Sequence, residues 1–247
     1  MELSIDTSTR YASVGLSTKG EPVNEVSWRS DRNHSVELIP TIHRVLNSAG
    51  VSMNHITAIF VALGPGGFSA LRVGLSTAKG IATANQIPLI GVGTLAIEAA
   101  PYVHREKAVW AIIDAGRCKL YAGLFDIRNI LRGKIADGYQ QITHNELPSI
   151  LGKNVLVCGE AVTGPVHEKL LQLTDHIYMV EAKPPTRKSS TLARLAYQRL
   201  SAGEFDDPVT IQPIYLQSDQ HGNAEKANVG KKDNDYNSGK KIDPSSK

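Results

Sequence analysis

The chain is poor in cysteine and in aromatic residues. Cys118 and Cys158 are its two cysteines, with no Cys-x-x-Cys pair, so the sequence reads as a reduced, cytoplasmic protein whose cysteines act as small buried hydrophobes. Aromatics make up 6% of the residues, too few to advertise a base-stacking surface. No apolar run approaches the roughly 18–20 residues that span a bilayer, and "MELSIDTS" carries no basic stretch ahead of an apolar one, so neither a membrane anchor nor a secretory signal is expected. Metal signatures are missing as well. The eight histidines include no His-x-x-x-His pair and no His-Glu-x-x-His. There is no Gly-x-Ser-x-Gly elbow to raise a nucleophilic serine.

What remains is an ordinary globular composition, 41% hydrophobic and 21% charged, with a formal charge of +3 and a pI near 8.8. Such a mild positive balance is compatible with work near nucleic acid without requiring it. Alternation predicts strands at Leu3–Ile5, in "YASVGLST" and in "VNEVSW", a meander joined by tight turns. Val36, Ile39, Ile42, His43 and Leu46 recur at helical spacing, predicting a helix over 35–49 that stops at Gly50, with Ser35 as its cap. "ITAIFVAL" reads as a buried parallel strand, followed by a helix over 68–84, the strand "PLIGVGTL" and the short helix "LAIEAA". A similar order then begins again with the strands "AVWAIIDAG", "KLYAGLFDI" and "IADGYQQIT". After them come a helix near 146–151, the strand "NVLVCGEA", and helices near 167–172 and 191–202. Two βββαβα units, each opening on a strand that runs into an Asp, point to an internal duplication with a reduced second copy. The expected organisation is an N-terminal lobe over 1–103, a C-terminal lobe over 104–217, and a tail over 218–247. The tail, with six lysines, five acids and almost nothing apolar, is expected to be disordered.

Two stretches carry candidate chemistry. In "IDTSTRYASVGLS" an acid and small hydroxyls sit at a strand–turn–strand, and "IDAGRCKLYAGLF" is its counterpart. Asp6, Thr7, Ser8 and Asp114 are therefore candidates for a cleft around magnesium-ATP, and capping of the two turns is the plainer role. "ALGPGGFSALRVGLSTAKGIA" holds a glycine loop ahead of a helix. It lacks the Lys-Ser or Lys-Thr of a phosphate loop, and Lys79 lies too deep in the helix to reach a phosphate at Gly66. Ala70, Gly74 and Ala78 draw a stripe of small residues down one helical face, which suits close approach of another helix, either a partner's or the chain's own first helix. Gly74 and Gly80 each cost a helix about 1 kcal/mol relative to Ala, and close packing is the expected compensation.

"IDTST", "RNHSVELIP", "ALGPGGFSALRVGLSTAKGIA", "IGVGTL", "IDAGRCKLYAGLF" and "PIYLQ", in this order, resemble the TsaB (YeaZ) family over roughly 1–217. Gly67 stands where that family commonly has Ser, and Ala70 where it commonly has Gly. The resemblance implies an α/β, actin-like ATPase (ASKHA) fold of two related lobes. It also implies a non-catalytic subunit in the formation of N6-threonylcarbamoyladenosine at position 37 of tRNAs reading ANN codons. The implied partners are the paralogue TsaD, which carries a metal-binding histidine pair, and the P-loop ATPase TsaE. A homodimer is implied when TsaD is absent, with tRNA met only through the complex. Where TsaD would carry its histidines this chain has the single His104, so no metal and no cofactor of its own is expected. His34, Ser35, Leu38, Ile39, Phe68, Ala70, Leu71, Arg72, Gly74, Leu75 and Ala78 are the expected partner interface, and Gly74→Leu is expected to weaken association without unfolding the lobe. The alternative is an ATP-dependent small-molecule kinase of the same fold, and a zinc metallopeptidase is a third.

Overall fold

The computed structural model describes residues 1–103, 107–131, 138–173 and 177–216. His104 and the segment 218–247 lie outside the described residues. The first half forms β1 (Glu2–Asp6), β2 (Tyr11–Thr18), β3 (Glu21–Arg29), α1 (His34–Ser48), β4 (Ala58–Ala62), α2 (Phe68–Asn85), β5 (Leu89–Val92) and α3 (Thr94–Ala99). The second forms β6 (Ala108–Gly116), β7 (Lys119–Phe125), α4 (Ile127–Leu131), β8 (Gln140–Thr143), α5 (Leu147–Leu151), β9 (Val155–Cys158), α6 (Gly164–Leu171), β10 (Ile177–Met179) and α7 (Ser189–Ser201).

The two five-stranded sheets have matching orders, β3-β2-β1-β4-β5 and β10-β9-β6-β7-β8. In each, an antiparallel meander continues through a parallel strand beside the meander's first strand (β1 with β4, β6 with β9). The duplication is therefore present; the first unit is one strand and one helix longer than βββαβα, and the second is one strand and two helices longer, because α4 interrupts its meander. The added strand in the second half is β10, three residues at the sheet edge.

Strand alternation divides the core into layers. Ile59 and Val61 of β4 face one way, with Leu3 and Ile5 of β1, onto Leu38, Ile42 and Val45 of α1 and Leu75 and Ala78 of α2. Ala58, Phe60 and Ala62 face the other way, into a cluster with α3, α7 and the inner residues of β6, Val109, Ala111 and Ile113. The far face of the second sheet packs on α5 and α6 through Trp110, Ile112, Leu147, Leu151 and Val166. Helices α3 and α7 thus lie between the sheets, and α7, late in the chain, returns to the first sheet.

After α7 the chain runs as a strap along the first half. Asp206 accepts from Gly91 N at 2.7 Å and pairs with Arg199 at 3.1 Å. Further on, Lys79 Nζ of α2 donates to the carbonyls of Val209 and Ile211, and Ile214 N donates to Leu63 O. Of the two cysteines only Cys158 is buried. Cys118 is exposed because it occupies, with Arg117, the two-residue turn between β6 and β7. Both have positive φ (52° and 58°), as such hairpin turns demand. No helix among the described residues is long and apolar enough to cross a membrane.

Candidate functional site

Helices α1 and α2 pack side by side on the first sheet, and the expected interface residues divide between their two sides. Leu38, Leu71, Gly74, Leu75 and Ala78 are buried inside the chain. His34 is buried too, its Nε2 donating to Thr9 O at 2.9 Å. These six do not form an outer face. The small-residue stripe is turned inward, and Gly74 is what lets Thr7 approach. A Cβ on Gly74 would overlap Thr7 Oγ1, which donates to Ala70 O at 2.7 Å. Gly66 serves the same turn, since a Cβ there would overlap Ser8 O, and Gly67 N donates to that carbonyl at 2.8 Å. The glycines therefore seat the turn after β1, and Gly74→Leu would disrupt the lobe itself.

What does reach the surface is a second apolar stripe. Val36 is 71% exposed, Ile39 45% and Phe68 55%, beside exposed Ser35, His43 and Arg72. Of the residues at helical spacing, Ile42 and Leu46 face the core with Leu38 and Val45, whereas Val36, Ile39 and His43 do not. Ser35 is not the cap of α1. Asn33 holds that position, without a side-chain hydrogen bond, and Ser35 lies in the first turn. The strap completes the patch. Tyr215 stacks on Phe68 at 5.2 Å between centroids, Arg72 lies 3.8 Å over the Phe68 ring, and Arg72 Nε donates to Tyr215 OH at 3.0 Å. Ala70 is half-buried at its edge.

The acids of the supposed nucleotide cleft differ in their surroundings. Asp114 is exposed, caps Gly116 N at 2.8 Å, and lines a cavity of about 780 Å³ with Arg10, Arg32, Gly67, Ser69 and Glu160. Asp6 is 1% exposed and does not line that cavity. Its Oδ1 accepts from Ser8 N at 2.8 Å and from Ser8 Oγ, and its Oδ2 from Arg187 Nε at 2.9 Å. With both oxygens engaged and buried, Asp6 does not fit the role of a magnesium ligand. Thr7 and Ser8 are buried as well.

Arg187 is the centre of a cluster that the sequence did not announce. Its Nη1 reaches Glu98 Oε2 at 3.1 Å and Glu160 Oε2 at 2.9 Å, and its Nη2 donates to Thr9 Oγ1 at 2.7 Å and Tyr11 O at 3.2 Å. Burial pushes the Glu98 carboxyl up, opposed by Arg187. Burial works against the charge on Arg187, but the carboxylates of Asp6, Glu160 and Glu98 outweigh it and raise its pKa. The legible hint was Glu98 itself, an acid in the otherwise apolar helix "LAIEAA", every residue of which in α3 is buried. Among the described residues no three His, Cys, Asp or Glu are grouped so as to hold a metal ion.

The duplicated sheets with helices between and outside them place the chain in the actin-like ATPase fold class. YeaZ from Pseudomonas aeruginosa superposes with a TM-score of 0.69 at 24% identity, covering 87% of this chain and 99% of that one. A family model described as "TsaD: tRNA N6-adenosine threonylcarbamoyltransferase" matches residues 28–172. The Escherichia coli tRNA threonylcarbamoyladenosine biosynthesis protein TsaB is 31% identical over 161 residues, 63% of this chain and 69% of that protein. Its Bacillus subtilis namesake is 32% identical over 127 residues, 51% of this chain and 56% of that protein. The Haemophilus influenzae one is 34% identical over 121 residues, 48% and 51%. The chain belongs to the TsaB (YeaZ) family. It spans about half the length of the Bacillus and Haemophilus relatives it matches.

Proposed function

We propose that this chain is a cytoplasmic, non-catalytic, activating subunit in the formation of N6-threonylcarbamoyladenosine at position 37 of tRNAs reading ANN codons. It acts by pairing with a TsaD paralogue through the outer face of α1 and α2, with TsaE joining the complex and tRNA met through it. Alone, it uses the same face to form a homodimer. The observation that carries this reading is the exposed stripe of Val36, Ile39 and Phe68, bordered by the Arg72–Tyr215 pair. Large apolar side chains beside aromatic and Arg anchors are the make-up of an interface centre. Membership in a family whose relatives are named for threonylcarbamoyladenosine biosynthesis supports the pathway.

Light scattering on a size-exclusion column tests it, first with the chain alone and then mixed with TsaD from the same organism. The expected result is a homodimer that gives way to a one-to-one complex. Ile39→Asp, which adds a charge at an already exposed position, is expected to weaken the complex by roughly 30-fold or more and leave the unfolding midpoint unchanged. No complex at micromolar concentration, or equal affinity for the variant, overturns the assignment.

A further inference from the structure

Three carboxylates meet at one guanidinium, and they come from different layers of the molecule. Asp6 ends β1 of the first sheet, Glu98 lies in α3 between the sheets, and Glu160 follows β9 of the second. Arg187 enters from the segment ahead of α7. The side chains are almost completely withdrawn from water, with 2% of Arg187, 2% of Asp6, 0% of Glu98 and 5% of Glu160 exposed. Thr9, in the turn after β1, links the sheets a second time. It accepts from Arg187 Nη2 and donates to Glu160 Oε2 at 3.0 Å. A flat guanidinium with five N–H groups suits this many-sided seat, whereas an ammonium is a single point charge.

We infer that Arg187 is a built-in cation that latches the two sheets together, filling from within the seam where Asp6 would otherwise be free to hold a metal. Removing the guanidinium from such a buried set leaves like-charged carboxylates without a counter-charge, and removing Glu160 breaks the charge-assisted bonds by which the second sheet reaches Arg187 and Thr9, each a larger loss than that of a surface pair. The latch also fixes where α7 begins, and α7 carries the strap whose Tyr215 borders the outer patch of α2. This inference stands on the seam's geometry and does not depend on the partner proposed above.

Amide hydrogen exchange read by mass spectrometry on Glu160→Gln, which keeps the shape and removes one charge, is the test. Exchange is expected to quicken by roughly tenfold or more in the peptides covering 6–11, 158–162 and 186–189, while α1, α2 and β7 stay within about twofold. A uniform loss of protection, or no change, overturns the latch. Arg187→Ala supplies an independent readout, because it leaves a vacancy of guanidinium shape. Guanidinium ion at millimolar concentration is expected to raise that variant's Tm, the opposite of its effect as a denaturant on the natural chain. A folded Arg187→Ala indifferent to guanidinium refutes the inference, and if that variant does not fold, the Glu160→Gln exchange pattern decides alone.

Discussion

Adding one methyl group at Gly74 tests why the glycine-rich stretch is built as it is. An alanine there gains about 1 kcal/mol of helix propensity over glycine. Against this, its Cβ overlaps Thr7 Oγ1, so the threonine must rotate and give up its 2.7 Å bond to Ala70 O. Losing that bond costs about 0.5–1.5 kcal/mol, and forcing a methyl into a packed site another 1–3 kcal/mol or so. Gly74→Ala is therefore expected to destabilise the protein by about 2 kcal/mol. Thr7→Ala removes the obstructing hydroxyl and methyl. Thr7 Cβ, at 3.4 Å from the new methyl, remains in ordinary contact. In that background Gly74→Ala should stabilise by about 1 kcal/mol, a coupling of about 3 kcal/mol between the two positions. Urea unfolding of the four members of the cycle, followed by circular dichroism, measures it. Equal cost in both backgrounds, or no cost in either, would refute the argument that Gly74 exists to admit Thr7.

Gly80 lies on the exposed side of the same helix, and a methyl added there would meet nothing within 4 Å, so Gly80→Ala should raise stability by about 1 kcal/mol in the same urea assay, and a loss would count against the helix as described. Burial raises the Glu98 carboxyl above its ordinary 4.5, with Arg187, Glu160, Cys158 and Tyr102 as the groups that sense or oppose its charge. A raised pKa in the folded chain means that the fold holds this proton more tightly than the unfolded chain does. Its contribution is therefore complete below the ordinary value and is lost as pH rises through the folded one. Thermal unfolding from about pH 5 to about pH 8 should accordingly cost Glu98→Gln less stability than the natural chain, and parallel curves would contradict that sign.

The regular elements were legible because each carries its own period. β2 and β6 run over the residues that alternation marks out, and α2 begins at Phe68 as expected. β10 was missed because three residues, Ile177–Met179, are too few to show a period. The inward and outward faces of α1 are not separable from spacing, for a different reason. Val36, Ile39 and His43 share a helical face as well as Leu38, Ile42 and Val45 do, and nothing local says which face meets the sheet. Tyr215 gives no local sign of its role, since its contact with Arg72 spans 143 positions and needs the strap to be folded back.

The same lack of local signal separates the glycine stretch's real purpose from either expected one. A phosphate loop and a helix-contact stripe are both recognised by spacing within a few residues, and "GPGGFSALRVG" offers enough small residues to suggest each. The structure uses those residues for a turn some sixty positions earlier, with Ser8 O against Gly66 and Thr7 against Gly74. That turn is in turn held by Arg187, 181 positions after Asp6, in the polar segment "PPTRKSS". An acid such as Asp6 at the end of a buried strand needs a positive partner, but the need does not say whether the partner is a metal ion or an arginine. Only the folded chain distinguishes them, and it supplies the arginine. The small residues around Asp6 therefore belong to the packing of an ion pair within the chain.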